Sequence, residues 1–165
     1  MEDEYKEDKN QIWTFYIIYN NSYTYAGISN NYLQRLRKHN GELSGGAKYT
    51  TSKGPGWKHL CIIHGFHTKI QALMFEWAVK HEPPRKYGGI QNRITKLFSV
   101  LNKNNWTKKS PNANTIPLSL VWKSSIILHF HIQERFLIKI KFLINFYTLC
   151  IYISRTFFYL LLFLH

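Results

Sequence analysis

WTFYIIYNNSYTYAGI, residues 13–28, is the stretch whose reading decides the fold. Trp13 to Tyr19 is aromatic and β-branched, which suits a pleated, half-buried surface. Asn20-Asn21-Ser22 is turn chemistry, because Asn tolerates positive φ and Ser bonds its own backbone. Tyr23 to Ile28 resumes the strand, so the segment reads as a β-hairpin. Tyr16 and Tyr25 then stand on neighbouring strands. Taken alone, they are also what ordinary strand tyrosines look like in a chain that has 11 of them.

Outward from the hairpin, Ser29-Asn30-Asn31 supplies candidate helix caps. Leu33 and Leu36 keep a helical period of three. Arg35 and His39 are four apart and share one helix face. Asn40-Gly41 stops the helix. Residues 57–64 read as a third strand. Thr68 to His81 reads as a helix with Ile70, Leu73, Met74 and Trp77 along one stripe. Ala72, Phe75 and Val79 cover much of its other side, so this helix is expected to pack on more than one face. After the Pro83-Pro84 break, residues 90–103 read as a further helix, and Lys103 to Ala113 as a polar loop.

Glu76 is the sharpest single residue. From residue 11 to residue 122 the chain has only three acids, Glu42, Glu76 and Glu82. A lone carboxylate in a basic, apolar setting needs a cation partner. Lys80 at i+4 is one candidate. A hard divalent cation is the other and preferred one, because Mg²⁺ takes few protein carboxylates and keeps several waters.

Tyr16, Tyr25, Arg35, His39 and Glu76 are together the groups needed to hydrolyse a phosphodiester with one metal ion. Thr14-Phe15-Tyr16, Tyr25-Ala26-Gly27, Arg35-x-x-x-His39 and Phe75-Glu76-Trp77 make the chain resemble the GIY-YIG nuclease superfamily. The spacings of ten from Tyr25 to Arg35 and four from Arg35 to His39 match the family pattern jointly. Asn40 to Ala47, NGELSGGA, lacks the Lys-Ser/Thr ending of a P-loop. It is similar instead to the HNGELxGGA run that follows the histidine in branched-DNA nucleases. Ile63 to Phe66, Ala72 to Ala78 and a terminal strand from Ile116 to Trp122 look like the same subfamily, so the likeness covers residues 13–122. A family asparagine beyond the glutamate corresponds loosely to Asn92.

The resemblance implies an α/β fold. A three-stranded sheet with an N-terminal hairpin would lie among flanking helices, followed by an apolar C-terminal extension. It also implies a metal-dependent endonuclease acting on flaps, forks and junctions, in DNA repair and recombination. Tyr16 would be the general base for the attacking water, and Tyr25 would orient that water. Arg35 would stabilise phosphate charge, and His39 would bond a tyrosine or relay a proton. Glu76 would hold one Mg²⁺ or Mn²⁺. A free phenol titrates near 10, so only ~0.1% is ionised at pH 7, and the arginine and metal are expected to lower that value. Two alternatives remain: a catalytically idle DNA-binding module, or a homing or restriction-type enzyme. The first motif departs from Gly-Ile/Val-Tyr and the second from Tyr-Ile/Val-Gly, but both keep the tyrosine. The branched-DNA nucleases also carry a zinc-binding RING-like domain that docks on a scaffold subunit. Here Cys61 and Cys150 stand alone, and without a Cys-x-x-Cys pair no structural zinc site is expected. A scaffold subunit and a homodimer are the protein partners considered.

Charge favours a nucleic-acid partner. The first ten residues hold five of the nine acids. Beyond them, 20 Lys and Arg face four Asp and Glu, a formal +16. Arg37, Lys38, Lys48, Lys53, Lys58, Arg85, Lys86 and Arg93 are the candidate phosphate contacts. A basic balance alone would equally suit an anionic membrane surface. Two distant cysteines point to a reducing compartment, and no signal peptide precedes the domain. An intracellular location, nuclear or at sites of DNA replication, is the expectation.

The chain divides at its punctuation. Residues 1–10 read as an acidic, disordered tail. Residues 11–122 contain all nine glycines and all five prolines, as a turn-rich nuclease domain should. Residues 123–165 have neither, and hold uncharged runs of 13 residues (Phe142 to Ser154) and 10 (Thr156 to His165). A span needs about 20 apolar residues, and joining the runs would place Arg155 at mid-membrane. The extension stays open between a membrane anchor, a helix pair over the core and unselected AT-rich sequence, with the last preferred.

Overall fold

β1 (Trp13–Asn20) and β2 (Tyr23–Ser29) form the hairpin, antiparallel, with Tyr16 opposite Gly27 and Ile18 opposite Tyr25. Asn21 turns the corner at φ +51°, the left-handed region that Asn tolerates. A computed structural model describes residues 12–85 and 88–124 of the chain. The acidic tail, Lys86, Cys150 and the apolar extension beyond Ser124 lie outside the described residues. Among the described residues no helix is long and apolar enough to cross a membrane.

α1 (Tyr32–His39) follows the hairpin, and its cap Asn31 accepts from Gln34 N–H. A short α2 (Lys48–Thr51) follows the glycine-rich loop. β3 (Lys58–Phe66) pairs antiparallel with β1, with register shifts on both sides of the Phe15–Ile17 segment. α3 (Lys69–His81) is capped by Thr68, and α4 (Gly89–Leu101) packs beside it. The three expected strands of the sheet are present. The terminal strand expected over Ile116 to Trp122 is shorter, β4 (Ser119–Trp122), and joins the sheet as a fourth at the edge of β3, giving the order β2-β1-β3-β4.

Alternation along β1 sends its residues to two faces. Phe15 and Ile17 join Ala72, Phe75, Val79, Leu97 and Trp106 in the main core under α3 and α4. Phe15, Phe66, Phe75 and Trp106 pack there edge-on, or tilted for Phe66–Phe75, with Phe15–Phe75 centroids 5.0 Å apart. Each such pair is worth ~0.5–1.5 kcal/mol beyond the area it buries. Tyr16, Ile18, Trp57 and Ile62 form a smaller cluster on the opposite face, covered by Tyr32 and Leu36 of α1.

Two helical stripes differ from the sequence reading. On α3 it is Ala72, Phe75, Ala78 and Val79 that are buried. Ile70, Leu73 and Trp77 are 55%, 43% and 53% exposed. The reason is the aromatic cluster, which takes Phe75 as its centre and so fixes which apolar face turns inward. On α1, Leu36 packs inward but Leu33 is exposed.

Candidate active site

The site lies on the face of the sheet that α1 covers. Tyr16 is 1% exposed, and its hydroxyl is 2.9 Å from His39 Nε2 at the end of α1. The Tyr25 ring stands beside the same imidazole, centroid to centroid 4.9 Å. Gly27 is the reason the Tyr16 phenol fits. A Cβ on Gly27 would stand 2.5 Å from the Tyr16 oxygen and 3.1 Å from the Tyr25 ring. The glycine of the Tyr-Ala-Gly motif is thus a steric requirement of the tyrosine on the next strand.

The glycine-rich loop walls the other side. Asn40 Oδ1 accepts from Gly56 N–H and Trp57 N–H, and its Nδ2 donates to Trp57 O at 3.1 Å. The end of α1 is thereby pinned to the start of β3, and the loop between them is closed. Inside it, Arg35 Nη1 donates to Gly45 O at 2.8 Å. Gly45 has φ +87°, a conformation that glycine adopts freely. A Cβ on Gly46 would meet Lys38 O at 2.4 Å, so the chain can turn back this tightly only with glycine there. The turn delivers α2 beneath His39, where the Thr50 hydroxyl meets His39 Nδ1 at 2.8 Å.

At Tyr16 the arginine pulls the phenol down as expected, but burial opposes it. Burial pushes the phenol above its ordinary value, and this outweighs the hydrogen bond and charge of Arg35, which pull it down. Tyr25 and Glu76 add to the upward push. His39 moves the other way, down to about 4, first through burial and then through the charges of Arg35 and His59. At neutral pH the imidazole is uncharged and able to accept a proton.

His59 is lowered to about 4 as well, by burial and then by Lys123. Its ring stands edge-on to Tyr16 and Tyr32, and its buried Nε2 has no hydrogen-bond partner among the described residues. Both histidines take up protons more readily unfolded, near pH 6.5, than folded. Their contribution to stability is present above pH 6.5 and is lost as pH falls towards 4. Urea midpoints measured from pH 7 to pH 4 should therefore decline across that window. The decline should be shallower in His59→Phe, and a flat profile for the wild type would contradict these shifts.

Glu76 projects from α3 with its side chain largely covered, and Oε1 accepts from Lys80 Nζ at 2.6 Å. The Lys80 ammonium lies 5.3 Å from the Tyr25 ring centroid, which puts this pair at the open side of the tyrosine site. Of the two cation partners considered for Glu76, the lysine is the one in contact. Among the described residues no three His, Cys, Asp or Glu side chains converge into a metal cage. One carboxylate suits a hard cation held mainly by water and substrate phosphate, and not a closed zinc site.

The candidate phosphate contacts are placed unequally. Lys48, Lys53 and Lys58 are exposed. Lys53 holds its ammonium 4.5 Å from the Tyr23 ring centroid. Lys38 is half-buried, while the Arg37 guanidinium is spent on Glu42 at 3.0 Å. Arg85 is exposed, with Nε 3.4 Å from His81 O. Arg93 turns inward from α4, its Nε 3.4 Å from Thr24 Oγ1 of β2, and burial lowers its pKa. Asn92 sits half-buried on the same helix. Sequence reasoning did not find Thr50, and nothing in its local sequence marks it.

The family model of the GIY-YIG catalytic domain matches residues 12–88, a span that holds all five candidate catalytic residues. This chain carries a GIY-YIG domain. Among curated proteins it is similar to the structure-specific endonuclease subunit slx1 of Schizosaccharomyces japonicus. Those two are 43% identical over 76 residues, 46% of this chain and 27% of the relative. The SLX1 homolog of Drosophila mojavensis is 53% identical over 55 residues, 33% of this chain and 18% of the relative. SLX1 of Cryptococcus neoformans is 30% identical over 113 residues, 67% of this chain and 23% of the relative, so that likeness runs beyond residues 12–88. The chain spans about a quarter or less of the length of these relatives.

Proposed function

We propose that this GIY-YIG domain is a metal-dependent endonuclease that hydrolyses phosphodiester bonds in branched DNA, in repair or recombination. One observation carries the reading. Tyr16, Tyr25, Arg35 and His39 converge in a single walled site, with the Glu76 charge felt at Tyr16. The attacking water gives its proton to the Tyr16 oxygen as Tyr16 passes its own to His39 Nε2. Such a hand-over suits a phenol reluctant to ionise alone and an imidazole that is uncharged. Tyr25 orients the water. Arg35, steadied by Gly45 O, stabilises charge on the phosphate. Glu76 would hold Mg²⁺ or Mn²⁺, which when bound supplies charge stabilisation at the leaving oxygen.

The substrate surface runs outward from Tyr25. Tyr49 stacks on Tyr25 at 6.4 Å and is exposed, as is Tyr23, with Lys53 over both Tyr23 and Tyr49. Exposed aromatics interleaved with lysines suit unpaired bases and their backbone. The relatives are named subunits of structure-specific endonucleases, which supports branched DNA as substrate and a second subunit as partner. A nuclear or replication-associated location goes with this reading. The competing reading, an idle binding module, draws on the Lys80 contact that occupies one Glu76 oxygen.

Cleavage of end-labelled flap, fork, four-way-junction and linear duplex DNA by the purified chain with Mg²⁺ tests the proposal. Branched substrates should be cut faster than linear duplex, close to the branch point. Equal rates on linear duplex would favour a homing or restriction-type enzyme, and binding without cleavage at any metal concentration would favour the idle module. Cleavage that appears only with a second protein would assign the missing part to a partner.

A further inference from the structure

We propose that Thr50 is a positioning residue whose hydroxyl fixes the tautomer of His39 and so sets the direction in which the Tyr16 proton travels. The kinetic half of this inference rests on the nuclease reading, and the structural half does not. Three contacts lie in one line. Tyr16 Oη is 2.9 Å from His39 Nε2, His39 Nδ1 is 2.8 Å from Thr50 Oγ1, and Thr50 Oγ1 is 2.9 Å from Ala47 O. A carbonyl only accepts, so Thr50 gives its one proton to Ala47 O. Its oxygen is then left to accept from His39 Nδ1–H. A neutral imidazole carries one N–H, so Nε2 is the bare nitrogen, open to the Tyr16 proton.

Ala47 O also receives the Thr51 N–H and hydroxyl, so this end of the line would by itself leave the choice open. The other end closes it. Tyr16 is buried, so its phenol proton needs an acceptor inside the protein. Nε2 is the acceptor beside it. With the opposite tautomer, Nε2–H would point at Tyr16 and the phenol proton would lose this acceptor.

The loop explains how a distant hydroxyl comes to sit there. Thr50 is fully buried, and Trp57 Nε1 donates to its carbonyl at 3.1 Å. Asn40 pins Trp57 in turn. Residues 41–56 therefore form a return path that brings one hydroxyl beneath one imidazole. This is a physical task for the glycine-rich run that no phosphate cradle requires.

Nitrogen NMR of the full chain with labelled histidine reads the tautomer directly, with His39→Gln used to pick out the His39 signals among eight histidines. The wild type and Thr50→Ser should both show a protonated Nδ1 and a bare Nε2. Thr50→Val keeps the volume but cannot accept, and should show the proton shifted to Nε2 or shared. Its kcat should fall about 10–100-fold, the range seen when a histidine loses the group that orients it. KM for DNA should stay near the wild-type value, and Thr50→Ser should restore kcat. A wild-type His39 protonated at Nε2 overturns the proposal, as does a Thr50→Val chain with wild-type tautomer and kcat. Should Thr50→Val not fold, the wild-type and Thr50→Ser spectra decide. A wild-type chain that cuts no DNA counts against the nuclease reading alone, and the spectra still judge Thr50.

Discussion

Tyr16→Phe should lower the cleavage rate by ~10²–10⁴-fold, the range for losing a general base, with little change in DNA affinity. The substitution is narrow. It keeps the ring, which fills the smaller cluster beside Ile18, Trp57 and Ile62, and removes only the oxygen 2.9 Å from His39 Nε2. Without that oxygen the water has no neighbour to take its proton, and His39 is separated from it by the length of a missing O–H. His39→Gln should cost at least as much as Thr50→Val, because an amide can bond the tyrosine but cannot take up its proton. The pH profile separates the two roles. His39 must be uncharged to take the Tyr16 proton, so the wild-type rate should climb as His39 loses its proton near pH 4 and be level around neutrality. A rate still rising above neutrality would make a Tyr16 phenolate the base without His39. The level profile, with Tyr16→Phe close to normal and His39→Gln inactive, would make His39 the direct base.

How much of this was legible in the chain depends on how far each signal is from its cause. The hairpin was readable because strand and turn chemistry are local, and Asn21 turns where its side chain permits. Arg35 and His39 were readable as one face because helix geometry converts a spacing of four into a neighbour. The inward face of α3 was not. Ile70, Leu73 and Trp77 repeat as regularly as Ala72, Phe75 and Val79, and periodicity cannot choose between two apolar faces. Phe66 and Trp106, distant in sequence, choose by packing on Phe75. The balance of effects at Tyr16 was hidden for the same reason. Its arginine neighbour could be counted from the sequence, but its burial could not, and burial is the larger effect. Arg93 looked like a surface charge until Thr24, 69 residues earlier, turned out to receive it. Thr50 stood eleven residues from His39 with no spacing rule to connect them; only the return of the loop does.

Glu76→Ala should abolish cleavage while leaving DNA binding nearly intact. This carboxylate stands among apolar side chains of α3, in a segment of the chain where positive charges prevail, and its field reaches Tyr16. The other two carboxylates of residues 11–122 are engaged elsewhere, Glu42 with Arg37 and Glu82 with Lys103. Losing the group that holds a preorganised charge costs ~10²–10³-fold or more in rate. Affinity should not suffer, because the substitution frees the Lys80 ammonium now bound to Oε1 at 2.6 Å. A released cation beside Tyr25 attracts phosphate, so fluorescence anisotropy should show equal or slightly tighter binding at low salt, converging as salt screens the added charge. Lys80→Met provides the complementary measurement. If Lys80 merely shields Glu76 until metal and DNA arrive, this variant should cut at least as fast as the wild type and reach half-maximal rate at lower Mg²⁺. If the ion pair is instead all that Glu76 is for, Lys80→Met and Glu76→Ala should behave alike and both should cleave. Wild-type cleavage by Glu76→Ala, or cleavage that survives EDTA, would remove the metal from this site and return the carboxylate to its lysine.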